Sequence, residues 1–453
     1  MGRSKGRLRR LLSLYSDNIC SILMKTSAYR RYCLKMARVA FWAVLVILVA
    51  LFISYYLDTP VPEDIPEQLT VKIIDASMRT YKHLIDGMVK LGLTNYFSPL
   101  DRKIADWFIL AQMTGQPWGL SLTADQTLRI NDTRIAGVRV VLYEPVSTYR
   151  SDDRPVLIFM HGGGWSTMSV DSYDPLIRKI SRESGVVIIS INYRLSPEFP
   201  YPAPLEDCIK VVKYVTDRTE EFRIDPFRVA IGGDSAGGNM AASIALHMRE
   251  VIAMQFLIVP CLQFLDFKTT SFVENTYYFH DSINNPLSVV FVTNYLGVSP
   301  VHYEDFLKNN HTSLTLKRSQ FAAMVDQRIW MKSEYVRNKS LIENLNTNAD
   351  FGNEVLSNRI EKVLTDPFAA PLMANDSLLG NLPEAYIVTC GYDFIRDDGV
   401  MYAERLNTAG TKVIHRHYRT GFHHAWFFPH GPLKIGVAVN IVSDLVKALR
   451  KRL

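Results

Sequence analysis

The chain has 453 residues, 48% of them hydrophobic and 21% charged, enough apolar material for one large α/β domain with an insertion or for two or three smaller ones. Its formal net charge of +6 is concentrated at one end: residues 1–38 hold ten Lys and Arg against one acid, Asp17, so the other 415 residues carry 6 − 9 = −3. That balance excludes a basic nucleic-acid face on the globular part, and five cysteines without Cys-x-x-Cys or Cys/His spacing argue against zinc, so no metal and no cofactor is expected.

Residues 1–38 read as a basic cytosolic tail. Leu8, Leu11, Leu12 and Tyr15 with interleaved Arg suit either a segment lying on an anionic leaflet or a disordered tail that only orients the apolar run after it. Val39–Leu57 is 19 residues without a charge, long enough to cross a bilayer core. The long basic flank before it and Asp58-Thr-Pro-Val-Pro62 after it predict an uncleaved signal-anchor instead of a cleaved signal peptide. Basic flanks stay cytosolic, so the expected protein is single-pass type II, with the remainder in the lumen of the endoplasmic reticulum. Sequons at Asn131, Asn310, Asn338 and Asn375 fall on that side, and a glycoprotein is expected. Of the cysteines, Cys20 and Cys33 precede the apolar run, and at most one disulfide is expected among Cys208, Cys261 and Cys390.

Residues 58–123 read as an irregular helical segment contributing to a cap, rich in aromatics such as Tyr81, Tyr96, Phe97, Trp107 and Phe108. Residues 124–453 then alternate strands with helical stretches. The expected strands are Val138–Tyr143, Val156–Met160, Val186–Ile191, Arg228–Gly232, Phe256–Val259, Tyr386–Cys390 and Val413–Tyr418. Several are continuous β-branched runs, as strands buried on both faces of a parallel sheet require, and an α/β fold follows. Between Val259 and Tyr386 the alternation lapses over a stretch far longer than an ordinary connection. This region, with Phe264, Phe267, Tyr277, Tyr278, Phe279, Phe291, Tyr295, Phe306 and Trp330, is expected to be a cap insertion at about 262–380, supplying both an acyl pocket and its own small core.

Gly233-x-Ser235-x-Gly237 lies between an expected strand and the Ala-rich helical run Asn239–Arg249, where a tight turn lifts a serine hydroxyl above the sheet edge. A bare match of this kind arises by chance roughly 0.15 times in a chain this long, so its context carries the argument. His161-Gly162-Gly163-Gly164 is far rarer by chance, roughly 0.003 times, and directly follows a strand. Successive glycines let backbone N–H groups face a substrate carbonyl, so Gly163, Gly164 and Ala236 are the expected oxyanion-hole donors. The base and its carboxylate belong in loops after later strands. Asp393 follows one strand end directly, whereas Asp397 and Asp398 look like helix-start acids; after the last strand come His423, the expected base, and His424.

His161-Gly-Gly-Gly-Trp165, Asn192-Tyr-Arg-Leu-Ser-Pro-Glu-Phe-Pro200, Gly233-Asp-Ser-Ala-Gly-Gly238, Tyr392-Asp-Phe-Ile-Arg-Asp-Asp-Gly399 and Gly421-Phe-His423 together resemble the hormone-sensitive-lipase-like branch of the α/β-hydrolases, and within it the arylacetamide deacetylase and neutral cholesterol ester hydrolase group. The resemblance covers all but about the first 35 residues. It implies an α/β-hydrolase fold with a helical cap behind one transmembrane helix, and a microsomal membrane esterase using Ser235, Asp393 and His423. It also implies a Cys after the Trp of the first motif, paired with the one at Cys390; here Ser166 stands there instead. Relatives begin near Met36, which makes translation from Met36 an alternative to Met1.

The expected activity is two-step acyl transfer to water from lipophilic carboxylic esters, arylacetamides being a further substrate class served by the same residues. The bilayer and a small lipophilic ester are the expected partners. The alternative is a membrane-tethered, non-catalytic binding protein that keeps the fold without the chemistry.

Overall fold

The computed structural model describes residues 3–115, 125–148, 153–275, 277–278, 285–338 and 352–453. Residues 116–124, Phe279 and the stretch 339–351 of the expected cap lie outside the described residues, as do the side chains of Cys20 and Cys33. The chain divides into two compact units, Met1–Asp58 and Thr59–Leu453.

The first unit is a single helix, Arg3–Leu57. The described part of the basic tail, from Arg3, continues this helix. Within it, Leu34–Leu57 is a stretch of 24 residues long and apolar enough to cross a membrane.

The second unit is built on one eight-stranded sheet: β1 (Leu128–Ile135), β2 (Val138–Pro145), β3 (Arg154–Met160), β4 (Val187–Asn192), β5 (Ile224–Asp234), β6 (Met254–Ile258), β7 (Glu384–Tyr392) and β8 (Val413–Phe422), in the order β1-β2-β4-β3-β5-β6-β7-β8. The β1–β2 and β2–β4 pairs are antiparallel and all others parallel. Central strands such as β3 and β6 are buried along nearly their whole length, which explains their continuous apolar runs. Alternate side chains enter opposite cores: Val156, Ile158 and Met160 point to one face of the sheet and Leu157 and Phe159 to the other. β1 was not expected from the sequence. Its polar run, Leu-Arg-Ile-Asn-Asp-Thr-Arg-Ile, buries only its two ends at the edge of the sheet.

Helices cover both faces. Ala236–His247 is buried from Ala236 to Leu246, so an apolar composition all round is what its place demands. On the opposite face Val170–Ser184 begins at a reciprocal Ser169/Ser172 cap and stops at Gly185, which takes the left-handed conformation. Gly436–Arg452 packs beside it through Ile441, Leu445 and Leu449. Between β6 and β7 the described residues form only short helices, the longest being Asn285–Leu296 and Glu354–Leu364.

One consequence of the parallel order governs function. β3, β5, β7 and β8 end at Met160, Asp234, Tyr392 and Phe422, and the residue after each is His161, Ser235, Asp393 and His423. Parallel strands end on one side, so these four residues lie at the carboxyl edge of the sheet, where the side chains of Ser235, Asp393 and His423 meet.

Candidate active site

Ser235 has φ 53° and ψ −116°, a conformation that a residue with a side chain adopts only when its surroundings force it. The forcing is visible in its bonds: its N–H donates to Ile258 O at 2.9 Å, and its own carbonyl accepts from Asn239 N at 3.0 Å. A Cβ on Gly237 would collide with the Met160 carbonyl, so the helix can approach β3 this closely only with glycine there. The hydroxyl is thereby raised at the junction of strand and helix.

His423 Nε2 lies 2.9 Å from Ser235 Oγ, and its Nδ1 lies 2.9 Å from Asp393 Oδ1. An ionised carboxylate only accepts, so Nδ1 carries the ring proton and Nε2 is left to accept from the serine hydroxyl. Asp393 is fully buried and His423 nearly so. Asp393 Oδ1 also accepts from Ile395 N at 3.0 Å. His424 does not join this chain of bonds; burial and the neighbouring His423 push its pKa well below the usual range.

The other acids of that loop do different work from helix starting alone. Asp397 and Asp398 do occupy the first turn of the helix Arg396–Thr408, but their carboxylates tie down the segment after β6. Asp397 accepts from Thr270 Oγ1 and Ser271 N at 2.6 and 2.7 Å, and Asp398 from Leu262 N at 2.8 Å. Burial raises Asp398 to about 7.

Gly163 and Gly164 have φ of +97° and +59°. The turn closes on itself through Thr167 N to Gly163 O at 2.9 Å. One face of Asn285–Leu296 covers it: Phe291 against Gly164, Asn294 Nδ2 3.5 Å from Ser166 Oγ, and Tyr295 stacked on Trp165 at 4.2 Å. Residues three and four apart share a helical face, which is why one short helix can meet three successive parts of the turn. A Cβ on Gly164 would overlap the Phe291 ring. His161 is fully buried, stacked on Tyr193, and burial lowers it to about 4, so it stays neutral and structural.

Sequence reasoning missed the braces. Tyr173, from the helix Val170–Ser184, accepts from Gly162 N at 2.8 Å and donates to the Asp234 carboxylate at 2.8 Å. Asn275 donates to Asp393 O at 2.9 Å and Arg337 to Gly391 O at 2.7 Å, holding the Asp393 loop from the region between β6 and β7. Asp234 lies inside the serine motif and was the one signal available; Tyr173, Asn275 and Arg337 carried none. The cysteines are settled differently from the family pattern: Cys208, Cys261 and Cys390 are free thiols, and Ser166 O accepts from Arg102 Nε at 2.8 Å.

The chain belongs to the α/β-hydrolase fold family, whose model matches residues 157–316 and 322–427. Within it the chain is a carboxylesterase-like enzyme, related to neutral cholesterol ester hydrolase 1 of Mus musculus (31% identical, spanning 88% of this chain and 96% of the relative) and to arylacetamide deacetylase of Bos taurus (31% identical, 83% and 92%). Its fold is also that of a hyperthermophilic esterase from the archaeon Pyrobaculum calidifontis (TM-score 0.56, 23% identity, 84% of this chain and 97% of the other) and of a bacterial heroin esterase (TM-score 0.56, 24% identity, 78% and 92%).

Proposed function

We propose that this protein is a membrane-anchored serine hydrolase of lipophilic carboxylic esters, with Ser235 as nucleophile, His423 as general base and acid, and Asp393 as the group that orients the imidazole. The observation that carries the reading is the pair of 2.9 Å contacts on the two ring nitrogens of His423. His423 removes the proton of Ser235 as Oγ attacks the ester carbonyl. The N–H groups of Gly163, Gly164 and Ala236 hold the oxyanion, a role supported by the strained glycine turn and by the place of Ala236 in the first turn of the helix Ala236–His247, where N–H groups have no intrahelical partner. The imidazolium protonates the departing alcohol, and water then repeats the sequence on the acyl-enzyme. The same cycle would cleave an arylacetamide, the substrate class in the name of one relative.

In this reading residues 1–38 stay cytosolic, Val39–Leu57 anchors the chain, and residues 58–453 fold in the lumen of the endoplasmic reticulum, with 58–123 and about 262–380 covering the site. The single N-terminal apolar helix supports the anchor. Asn131, Asn338 and Asn375 are exposed and suit glycan acceptors, whereas Asn310 is half-buried, donates to Asp305 Oδ1 at 3.1 Å and is followed by buried His311 and Thr312. The reading therefore keeps three acceptors and drops Asn310.

The test is covalent labelling of the full-length microsomal protein with a fluorophosphonate, beside a chain-length series of esters. Labelling abolished by Ser235→Ala, with turnover rising as the acyl chain lengthens, is the expected result. Folded protein that neither labels nor turns over ester would instead be a binding protein.

A further inference from the structure

The helix Gln68–Lys90 is apolar on two faces. Val71, Ile74 and Ile85 enter the core of its unit. Leu69, Ile73, Leu84 and Leu91 recur at spacings of 4, 11 and 7 on the other side and are 39–75% exposed. Leu93 and Tyr96 in the following turn, then Leu100 and Trp107 on the helix Pro99–Thr114, are exposed as well. Among the described residues of this unit, eight of eighteen exposed large apolar side chains fall between Leu69 and Trp107, about a tenth of its length. Scattered apolar residues need no explanation; a concentration of this kind does.

Two observations name the occupant. Val61 is buried in the core of this unit only four residues after Leu57, so if Leu34–Leu57 crosses a membrane, the linking chain allows Val61 no more than roughly 14 Å from the end of that span. None of the four sequons falls in the segment, so no glycan would shield it. The same segment also touches the residue that covers the glycine turn. Phe97 is pinned by its N–H to Asp101 Oδ2 at 2.6 Å, its ring meets that of Phe291 at 5.9 Å, and Phe291 lies against Gly164.

We propose that the outer face of residues 69–107 seats the globular unit in the surface of the bilayer that holds its own anchor, and that lipophilic esters pass from that surface to Gly164 beside the Phe97–Phe291 contact. Amphipathic helices with large apolar faces bind the interfacial layer in this way, and a substrate dissolved there need not cross water. The proposal rests on the anchored-esterase reading above.

The experiment uses the full-length chain in phosphatidylcholine liposomes, with Cys20→Ser and Cys33→Ser so that only buried thiols remain. An environment-sensitive fluorophore is attached at Leu93→Cys, or at Phe227→Cys as an exposed control at the amino end of β5. Quenching by spin-labelled lipid at 93 but not at 227 is expected. Leu91→Ser with Leu93→Ser should lower kcat/KM about tenfold for a long-chain ester carried in the same liposomes and leave a water-soluble acetyl ester unchanged. Equal quenching at both positions, an equal loss on both esters, or burial of the label at 93 by self-association without lipid would overturn the proposal. Alkaline carbonate extraction reads the anchor separately, and the acetyl ester reads the chemistry separately, so a failure of either underlying reading is recognised on its own.

Discussion

The hydroxyl of Tyr173 stands 2.8 Å from the carboxylate of Asp234, both side chains fully buried, and at the same time accepts the N–H of Gly162. One phenol thus joins the turn that precedes the proposed nucleophile to the glycine turn that faces it. Replacing it with Phe leaves a buried N–H and a buried carboxylate without this partner. Tyr173→Phe is expected to fold but to lose about ten- to thirtyfold in kcat/KM, mostly in kcat, because the misplaced donors act on the transition state. Steady-state kinetics on a soluble ester checks this.

Burial raises Asp234 to about 7, against opposing contributions led by the Tyr173 hydrogen bond. A carboxyl whose folded pKa lies above its unfolded value, near 4, binds its proton more readily when folded. Its contribution to stability is then fully present below about pH 4 and is lost as pH climbs toward 7. Asp234→Asn removes that dependence. Its melting temperature should gain on the parent by about 2–4 °C between pH 5 and pH 8 in thermal scans. Asp398 and Asp106, raised to about 7 and about 6, titrate in both proteins and cancel in the difference.

Gly164→Ala would place a methyl in the Phe291 ring and a side chain at φ +59°. Activity should fall about a hundredfold, as for loss of one oxyanion donor. Adding Phe291→Ala relieves the overlap but not the backbone strain, so partial recovery is expected. Kinetics of the two single variants and the double variant, set out as a cycle, measure the coupling.

Arg337 reaches Gly391 O and lies over the Tyr392 ring at 4.2 Å from the centroid, while Asn275 holds Asp393 O. Arg337→Ala should slacken the Asp393 loop and lower kcat about tenfold with little change in KM, since the imidazole loses orientation and the acyl site does not. Arg337→Lys, lacking the planar fork, should recover little of the loss.

The proposed chemistry was legible in the chain because each reacting side chain directly follows a strand, and strands buried on both faces announce themselves as continuous apolar runs. Ser235, Asp393 and His423 fall at strand ends for that reason. The braces were not legible. Tyr173 acts across the sheet from a helix, Asn275 from the end of the short helix Thr270–Asn275, and Arg337 from an irregular bend, and the packing of those last two follows no period. β1 escaped because an edge strand with few buried residues has no alternation to read. Asp397 and Asp398 were placed in the right turn but given too small a part, because composition near a helix start says nothing of long-range partners 126 to 136 residues away.

Ser166, where the resemblance implied a cysteine paired with Cys390, is instead held by Arg102 and Asn294. Cys208, Cys261 and Cys390 are buried, and burial drives each thiol well above its usual range, so none offers a thiolate to an oxidant or a disulfide exchanger. The catalytic unit is consequently blind to the redox poise of its compartment. Glutathione, dithiothreitol or an isomerase would find no handle on it.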